Sequence, residues 1–233
     1  MIDQHNKLET NQPKIIALIP AYNENRRIAE VVQSASWFLP VLVVDDGSAD
    51  NTAELAAEAG AQVLRLSSNQ GKGEALRSGF RFALDAGYAA VLSLDADGQH
   101  NPAEIAQFIK CYSETRADLI IGARNFDEMP FLRWLGNISG RMLLSLAVGK
   151  PIRDNQSGYR LHSRRMVEKS LNSTIRGFEF EVEMIVLCLE NKFTLEWVPI
   201  ETIYEGEDSH IQPLKHALRF IGLSLAILKR RLF

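Results

Sequence analysis

The chain has 233 residues, 46% hydrophobic and 24% charged, which suits a globular protein with a substantial buried core. Its net charge of −3 lacks the basic excess of nucleic-acid binders, so no nucleic acid is expected as a partner. Only two cysteines are present, Cys111 and Cys188, far apart in apolar contexts; they read as buried free thiols rather than a disulfide or zinc framework, in keeping with a cytoplasmic location.

Residues 1–13, MIDQHNKLETNQP, are polar and lack the apolar core of a signal peptide, so a loose tail is expected there. No stretch reaches the roughly 20 apolar residues that span a bilayer. From Lys14 the pattern alternates. KIIALIP (Lys14–Pro20) predicts a strand covered on both faces, and Arg26–Phe38 a helix with Ile28, Val31, Val32 and Ala35 on one side. VLVVDDGS predicts a second strand and its exit loop, Ala49–Gly60 a helix closed by glycine, and QVLRLS a third strand. Gly73–Ala86 is helical, AAVLSLDADG a fourth strand, Pro102–Tyr112 a helix with proline at its start, and DLIIGAR a further strand. Strands alternating with helices of this length predict an α/β fold with a mostly parallel sheet flanked by helices.

After Arg124 the rhythm changes. Leu135–Val148, Ser163–Ser170 and Phe180–Asn191 read as helices, PIRDNQSGYRLH as loop and strand, and TLEWVPI as a strand. The end, 213–233, reads as an amphipathic helix, its apolar Leu218, Ile221, Leu225 and Leu228 set beside basic residues. No linker separates the two parts, so residues 14–212 are expected to form one domain.

In open parallel sheets, ligands bind beyond the carboxyl ends of the strands. The predicted strand ends here read PAYNEN, DDGSAD, SSNQGKG, DADGQH and GARN. No phosphate-binding GxxxxGK[ST] loop and no GxGxxG fingerprint is present. A nucleotide would therefore be held through carboxylates and a metal. Asp95 and Asp97 lie two residues apart, on one side of an extended chain, and suit a hard divalent cation. By themselves they equally suit a turn before the helix at Pro102, and Asp45-Asp46-Gly-Ser equally suits a turn and helix cap.

The ordered set IPAYNE, VVDDGSADNT, NQGKGEALRSGF, LDADGQH, GAR and DNQSGYR resembles the family 2 glycosyltransferases, most closely the polyprenyl-phosphate sugar transferases typified by dolichol-phosphate mannosyltransferase. The resemblance covers Lys14 to Tyr204. It implies the A-type glycosyltransferase fold and inverting transfer of one sugar from a nucleoside diphosphate sugar, of GDP-mannose or UDP-glucose type, to a polyprenyl phosphate. It also implies a Mg2+ or Mn2+ cofactor. Pro20, Ala21, Tyr22 and Glu24 would line the base and ribose pocket, Asp46 with Asp45 would meet the base, and Lys72 would lie near it. Asp95 would face the nucleoside, while Asp97 and Gln99 would hold the metal. Arg124 and Arg160 would meet phosphate, and Phe180, Glu181 and Glu183 would belong to a helix beneath the sugar. Ser209 and His210 would approach the diphosphate, and Arg133 and Arg141 are candidates to guide an anionic acceptor. His100 reads as a supporting residue rather than a metal ligand.

A phosphate acceptor needs no general base, because its second pKa is about 6. The resemblance has its departures: FLRW stands in place of the later QxxRW of processive synthases, which points to transfer of a single sugar. The many relatives with membrane helices after the catalytic domain have no counterpart in these 233 residues. A lipid acceptor would then be met at the inner face of the membrane, through the C-terminal helix. A sugar nucleotidyltransferase and a non-catalytic nucleotide-binding module are the alternatives. The first lacks its GxGxR signature here.

Overall fold

The computed structural model describes residues 13–125, 131–177 and 179–201, with 131–137 described by their backbone alone. Seven strands form one sheet in the order β3-β2-β1-β4-β6-β5-β7. In chain order they are β1 (Ile15–Ala21), β2 (Val41–Asp45), β3 (Gln62–Arg65), β4 (Ala90–Ser93), β5 (Leu119–Arg124), β6 (Arg160–Ser163) and β7 (Leu195–Ile200). Every residue of β1 and β2 is buried, as their unbroken apolar runs require of strands covered on both faces.

The helices are α1 (Ile28–Ser36), α2 (Thr52–Glu58), α3 (Lys72–Asp85), α4 (Ile105–Thr115), α5 (Phe131–Val148), α6 (Arg164–Ser170) and α7 (Glu179–Glu190). They cover both faces. One core layer joins Ile28, Val32, Phe108, Tyr112 and Tyr159 to the sheet; the other joins Leu76, Phe80, Leu144, Met166, Phe180 and Ile185. Helix boundaries follow local chemistry. Asn101 accepts a bond from the Ala103 N–H at 3.0 Å ahead of a 3-10 turn, Pro102–Glu104, that leads into α4. Ser163 caps α6 by accepting from the Met166 N–H at 3.2 Å.

The sheet is parallel except for β6, which runs antiparallel to both β4 and β5. Its first residue, Arg160, pairs with Ser93, the last of β4. The loop before β6 therefore arrives at the edge where the parallel strands end. β1 has β2 on one side and β4 on the other, which makes their carboxyl ends the switch point where α/β sheets open a crevice. PAYNEN and DADGQH leave from these two ends.

Candidate active site

Asp95 lies two residues beyond the end of β4, and both of its oxygens are engaged. Lys72 Nζ lies 2.6 Å from Oδ1 and His100 Nε2 3.4 Å from Oδ2. Lys72, the first residue of α3, also reaches Glu181 Oε2 at 3.1 Å. One ammonium thus ties the tip of β4 to the first turn of α7. Burial pushes the Asp95 carboxyl up, but Lys72 and His100 outweigh it and hold the group well below the usual carboxylate range. Burial likewise disfavours the Lys72 ammonium, yet Asp95 and Glu181 raise its pKa above that of an ordinary lysine. Glu181 is buried, and its Oε1 has no hydrogen-bond partner among the described residues.

Asp97 has the opposite character. Burial first, then the Asp95 charge, raises its pKa above that of an ordinary aspartate. Its Oδ1 accepts the Gln99 N–H at 2.9 Å, and no salt bridge to it occurs among the described residues. A carboxylate whose charge is disfavoured, beside a second acid and a side-chain amide, fits a hard cation with oxygen ligands. Asp97 and Gln99 would hold it. Among the described residues no group of three His, Cys, Asp or Glu is placed to hold a metal.

The loops around this cluster are pinned to one another. The Asn23 N–H donates to Ser48 Oγ at 2.9 Å and the Glu24 N–H to Thr52 Oγ1 at 2.8 Å, joining the exits of β1 and β2. Pro20 and Ala21 are buried in β1, Glu24 is half-buried, and Tyr22 is 45% exposed beyond them. Asp46 accepts the Gln70 and Gly71 N–H groups, each at 2.8 Å, and Asp45 accepts the Ser48 N–H at 3.0 Å while Arg65 Nε stands 3.1 Å from its other oxygen. These two acids, the ones expected at the base, are buried and hold loops. Lys72, expected near the base, sits on Asp95 and Glu181.

The two arginines expected to meet phosphate have protein partners here. Arg160 is fully buried; its guanidinium donates to the carbonyls of Ser157 at 2.7 Å, of Asn155 at 3.3 Å and of Glu181. The reason is topological: as the first residue of a central strand it points into the protein and satisfies a loop that would otherwise bury bare carbonyls. Arg124 makes a bidentate pair with Asp154, Nε to Oδ2 at 2.7 Å and Nη2 to Oδ1 at 3.0 Å. Arg141 Nη1 approaches the Arg153 carbonyl at 3.5 Å, so it borders the same loop. Arg133 lies in α5, in the segment described by backbone alone. Ser209, His210 and the expected helix at 213–233 lie outside the described residues.

Sequence reasoning assigned no role to Asp154 or Gly158, although both belong to the quoted DNQSGYR. A Cβ on Gly158 would stand 2.5 Å from Asp95 Oδ2, so only glycine lets this loop close over the acid. The sole signal was the glycine itself beside a polar run.

A parallel sheet with one reversed strand, and an acid pair beyond β4 whose first member meets a lysine from α3, fit the A-type fold of nucleotide-sugar transferases. Residues 16–173 match the model of the Glycosyl transferase family 2, and the chain belongs to that family. It is 30% identical over 216 residues to the UDP-N-acetylglucosamine–dolichyl-phosphate N-acetylglucosaminyltransferase of Methanococcus voltae, covering 82% of this chain and 86% of that one. It is also 30% identical over 203 residues to the polyprenol monophosphomannose synthase of Mycolicibacterium smegmatis, covering 80% and 76%. Among solved structures, glucosyl-3-phosphoglycerate synthase from Mycobacterium tuberculosis, in complex with Mn2+, uridine-diphosphate-glucose and phosphoglyceric acid, superposes with a TM-score of 0.72 at 18% identity, over 93% of this chain and 80% of that one. That likeness shows the fold.

Proposed function

We propose that the chain transfers one sugar from a nucleoside diphosphate sugar to a polyprenyl phosphate, with inversion at the anomeric carbon and with Mg2+ or Mn2+ as cofactor. The observation that carries this is the cluster of Asp95, Lys72 and Glu181 beside Asp97 and Gln99 at the switch point. Relatives named for lipid-phosphate acceptors support the acceptor class. The tip of β1 around Tyr22 would receive the nucleoside, with Glu24 and Asp95 on its ribose side. The cation, when bound at Asp97 and Gln99, would supply Lewis-acid neutralisation of the leaving diphosphate. The bond from the anomeric carbon to the diphosphate oxygen breaks as an acceptor phosphate oxygen bonds to the opposite face of that carbon. The electron pair leaves on the nucleoside diphosphate.

Within this reading Glu181 serves the sugar. Its Oε1, without a partner among the described residues, would take a donor from a sugar hydroxyl. Arg124 and Arg141 flank the Arg153–Asp154 loop and would form the acceptor side, with Arg133, Ser209 and His210 as further candidates. Arg160 acts at one remove, holding the Glu181 carbonyl. Residues 14–212 would be the catalytic domain. Among the described residues no helix is long and apolar enough to cross a membrane; we place the lipid encounter at the inner face of the membrane, with the 213–233 helix as the contact. The test is to incubate the protein with labelled GDP-mannose, UDP-glucose and UDP-N-acetylglucosamine, each with a short polyprenyl phosphate and Mn2+. A labelled lipid extractable into organic solvent is expected from one donor; no product from any of them overturns the proposal.

A further inference from the structure

His100 stands just behind the acid pair, and its ring is almost entirely enclosed, at 6% exposure. It lies on an aromatic shelf: its centroid is 5.0 Å from that of Tyr159, which stacks on Phe108 at 4.5 Å. Tyr159 is in turn held by its hydroxyl, which donates to the Asn101 carbonyl at 3.3 Å. The ring therefore has little freedom to turn, and Nε2 is left facing Asp95 Oδ2 at 3.4 Å. Its Nδ1 is buried with no hydrogen-bond partner among the described residues. This is the cheaper arrangement when the single N–H is on Nε2, since an unmade acceptor on Nδ1 replaces an unmade donor.

We propose that His100 is a positioning residue for the donor site, fixing the plane of the Asp95 carboxylate so that Asp97 alone turns to the cation. The inference rests on the donor-site reading above and deepens it. Lys72 cannot do this by itself. An ammonium on a four-carbon stem is a point charge that follows a rotating carboxylate, and Lys72 is shared with Glu181 at 3.1 Å. Two donors on two different oxygens define a plane; one donor defines only a direction. Gly158 closes the remaining side, where a Cβ would meet Oδ2 at 2.5 Å, so the carboxylate is confined between His100, Lys72 and the backbone of the loop before β6. Without the imidazole donor, Oδ2 is free to swing, and the pocket that separates a nucleoside-facing acid from a cation-facing acid loses its order.

The test separates donor from packing. His100→Phe keeps a ring on the Tyr159 shelf and removes the donor. His100→Gln keeps a donor of similar reach, and His100→Asn carries the same amide on a stem too short to reach Asp95. Calorimetry with the nucleoside diphosphate of the accepted donor, in Mn2+, gives the dissociation constant for each variant, and thermal melting reports folding. The expected result is weakening of about tenfold for His100→Phe and His100→Asn, with His100→Gln within about threefold of the parent. In steady state the loss is expected in the donor KM rather than in kcat. Parent-like binding by His100→Phe or His100→Asn, or His100→Gln as weak as either, overturns the proposal. If His100→Phe does not fold, the Asn and Gln pair decides alone. If the parent itself binds no nucleotide, it is the donor-site reading that fails.

Discussion

Asp95 and Asp97 are two residues apart and meet opposite electrostatics. Asp95 is neutralised by Lys72 and faced by His100, whereas Asp97 feels burial and the charge of Asp95, so of the two it is Asp97 that lacks a positive partner among the described residues. Asp97→Asn, nearly isosteric, is expected to lower transfer by about a hundredfold or more while leaving the melting temperature unchanged or raised; full activity in a labelled-sugar assay would remove Asp97 from the metal site. A second residue tests the core. His162 is fully buried in β6, with Nε2 3.2 Å from Ser93 Oγ and Nδ1 without a hydrogen-bond partner among the described residues. Burial first, then the neighbouring Arg160 charge, pushes its pKa down to about 3. The unfolded chain, with an ordinary histidine near 6.5, binds the extra proton first. Stability from this group is therefore complete above about pH 6.5 and falls as pH drops toward 3, by at most about 1.4 kcal/mol per pH unit. Urea unfolding at pH 7 and 5 should show this slope in the parent, and a shallower one in His162→Phe.

At the scale of the element, the start of α3 carries the site. Gly71 has a φ of +95°, and a Cβ there would stand 2.6 Å from the Arg176 carbonyl oxygen, so glycine is required for the close approach of the loop before α7. Asp46 holds the other side through the Gln70 and Gly71 N–H groups. Its acid is thus the link between β2 and the lysine that meets Asp95. Asp46→Ala leaves two backbone donors unpaired and is expected to cost about 1–3 kcal/mol in denaturant unfolding, together with weaker nucleotide binding; Asp46→Asn, which keeps one acceptor, should fall between. A parent-like affinity in Asp46→Ala would detach this loop from the donor site. The loop before β6 makes a parallel case. Gly158→Ala is expected to lower donor affinity by about tenfold or more, read by calorimetry, because the added methyl displaces Asp95 rather than any ligand contact.

At the scale of the whole molecule, the sheet decides where these loops meet. β1 and β4 are neighbours although two further strands separate them in sequence, and the crevice at their ends brings Tyr22, Asp95 and Lys72 to one edge. Chelation with excess EDTA is expected to abolish transfer and added Mn2+ to restore it; transfer that continues in EDTA would rule out the cation at Asp97 and Gln99. Direct in-line displacement predicts a product of inverted anomeric configuration, checked by NMR coupling constants of the sugar lipid.

How much of this could be read beforehand follows the range of the interactions. Local patterns sufficed for the strand–helix alternation, because an apolar run such as IIALIPA or a spacing such as Ile28-Val31-Val32-Ala35 expresses burial that any neighbour can supply. The order of motifs sufficed for the family and for acids at the strand ends. Partners far along the chain were not legible: that Arg160, expected to meet phosphate, would donate to loop carbonyls depends on an antiparallel β6. That Asp46, expected at the base, would accept the Gln70 and Gly71 N–H groups was equally out of reach. The sequence by itself determined the elements, the family and the chemistry available at SLDADGQH. Only the tertiary structure decided which acid has a lysine on it and which does not, because that depends on Lys72, Gly158 and Glu181 arriving from three other parts of the chain, and electrostatics is set by distance in space rather than along the chain.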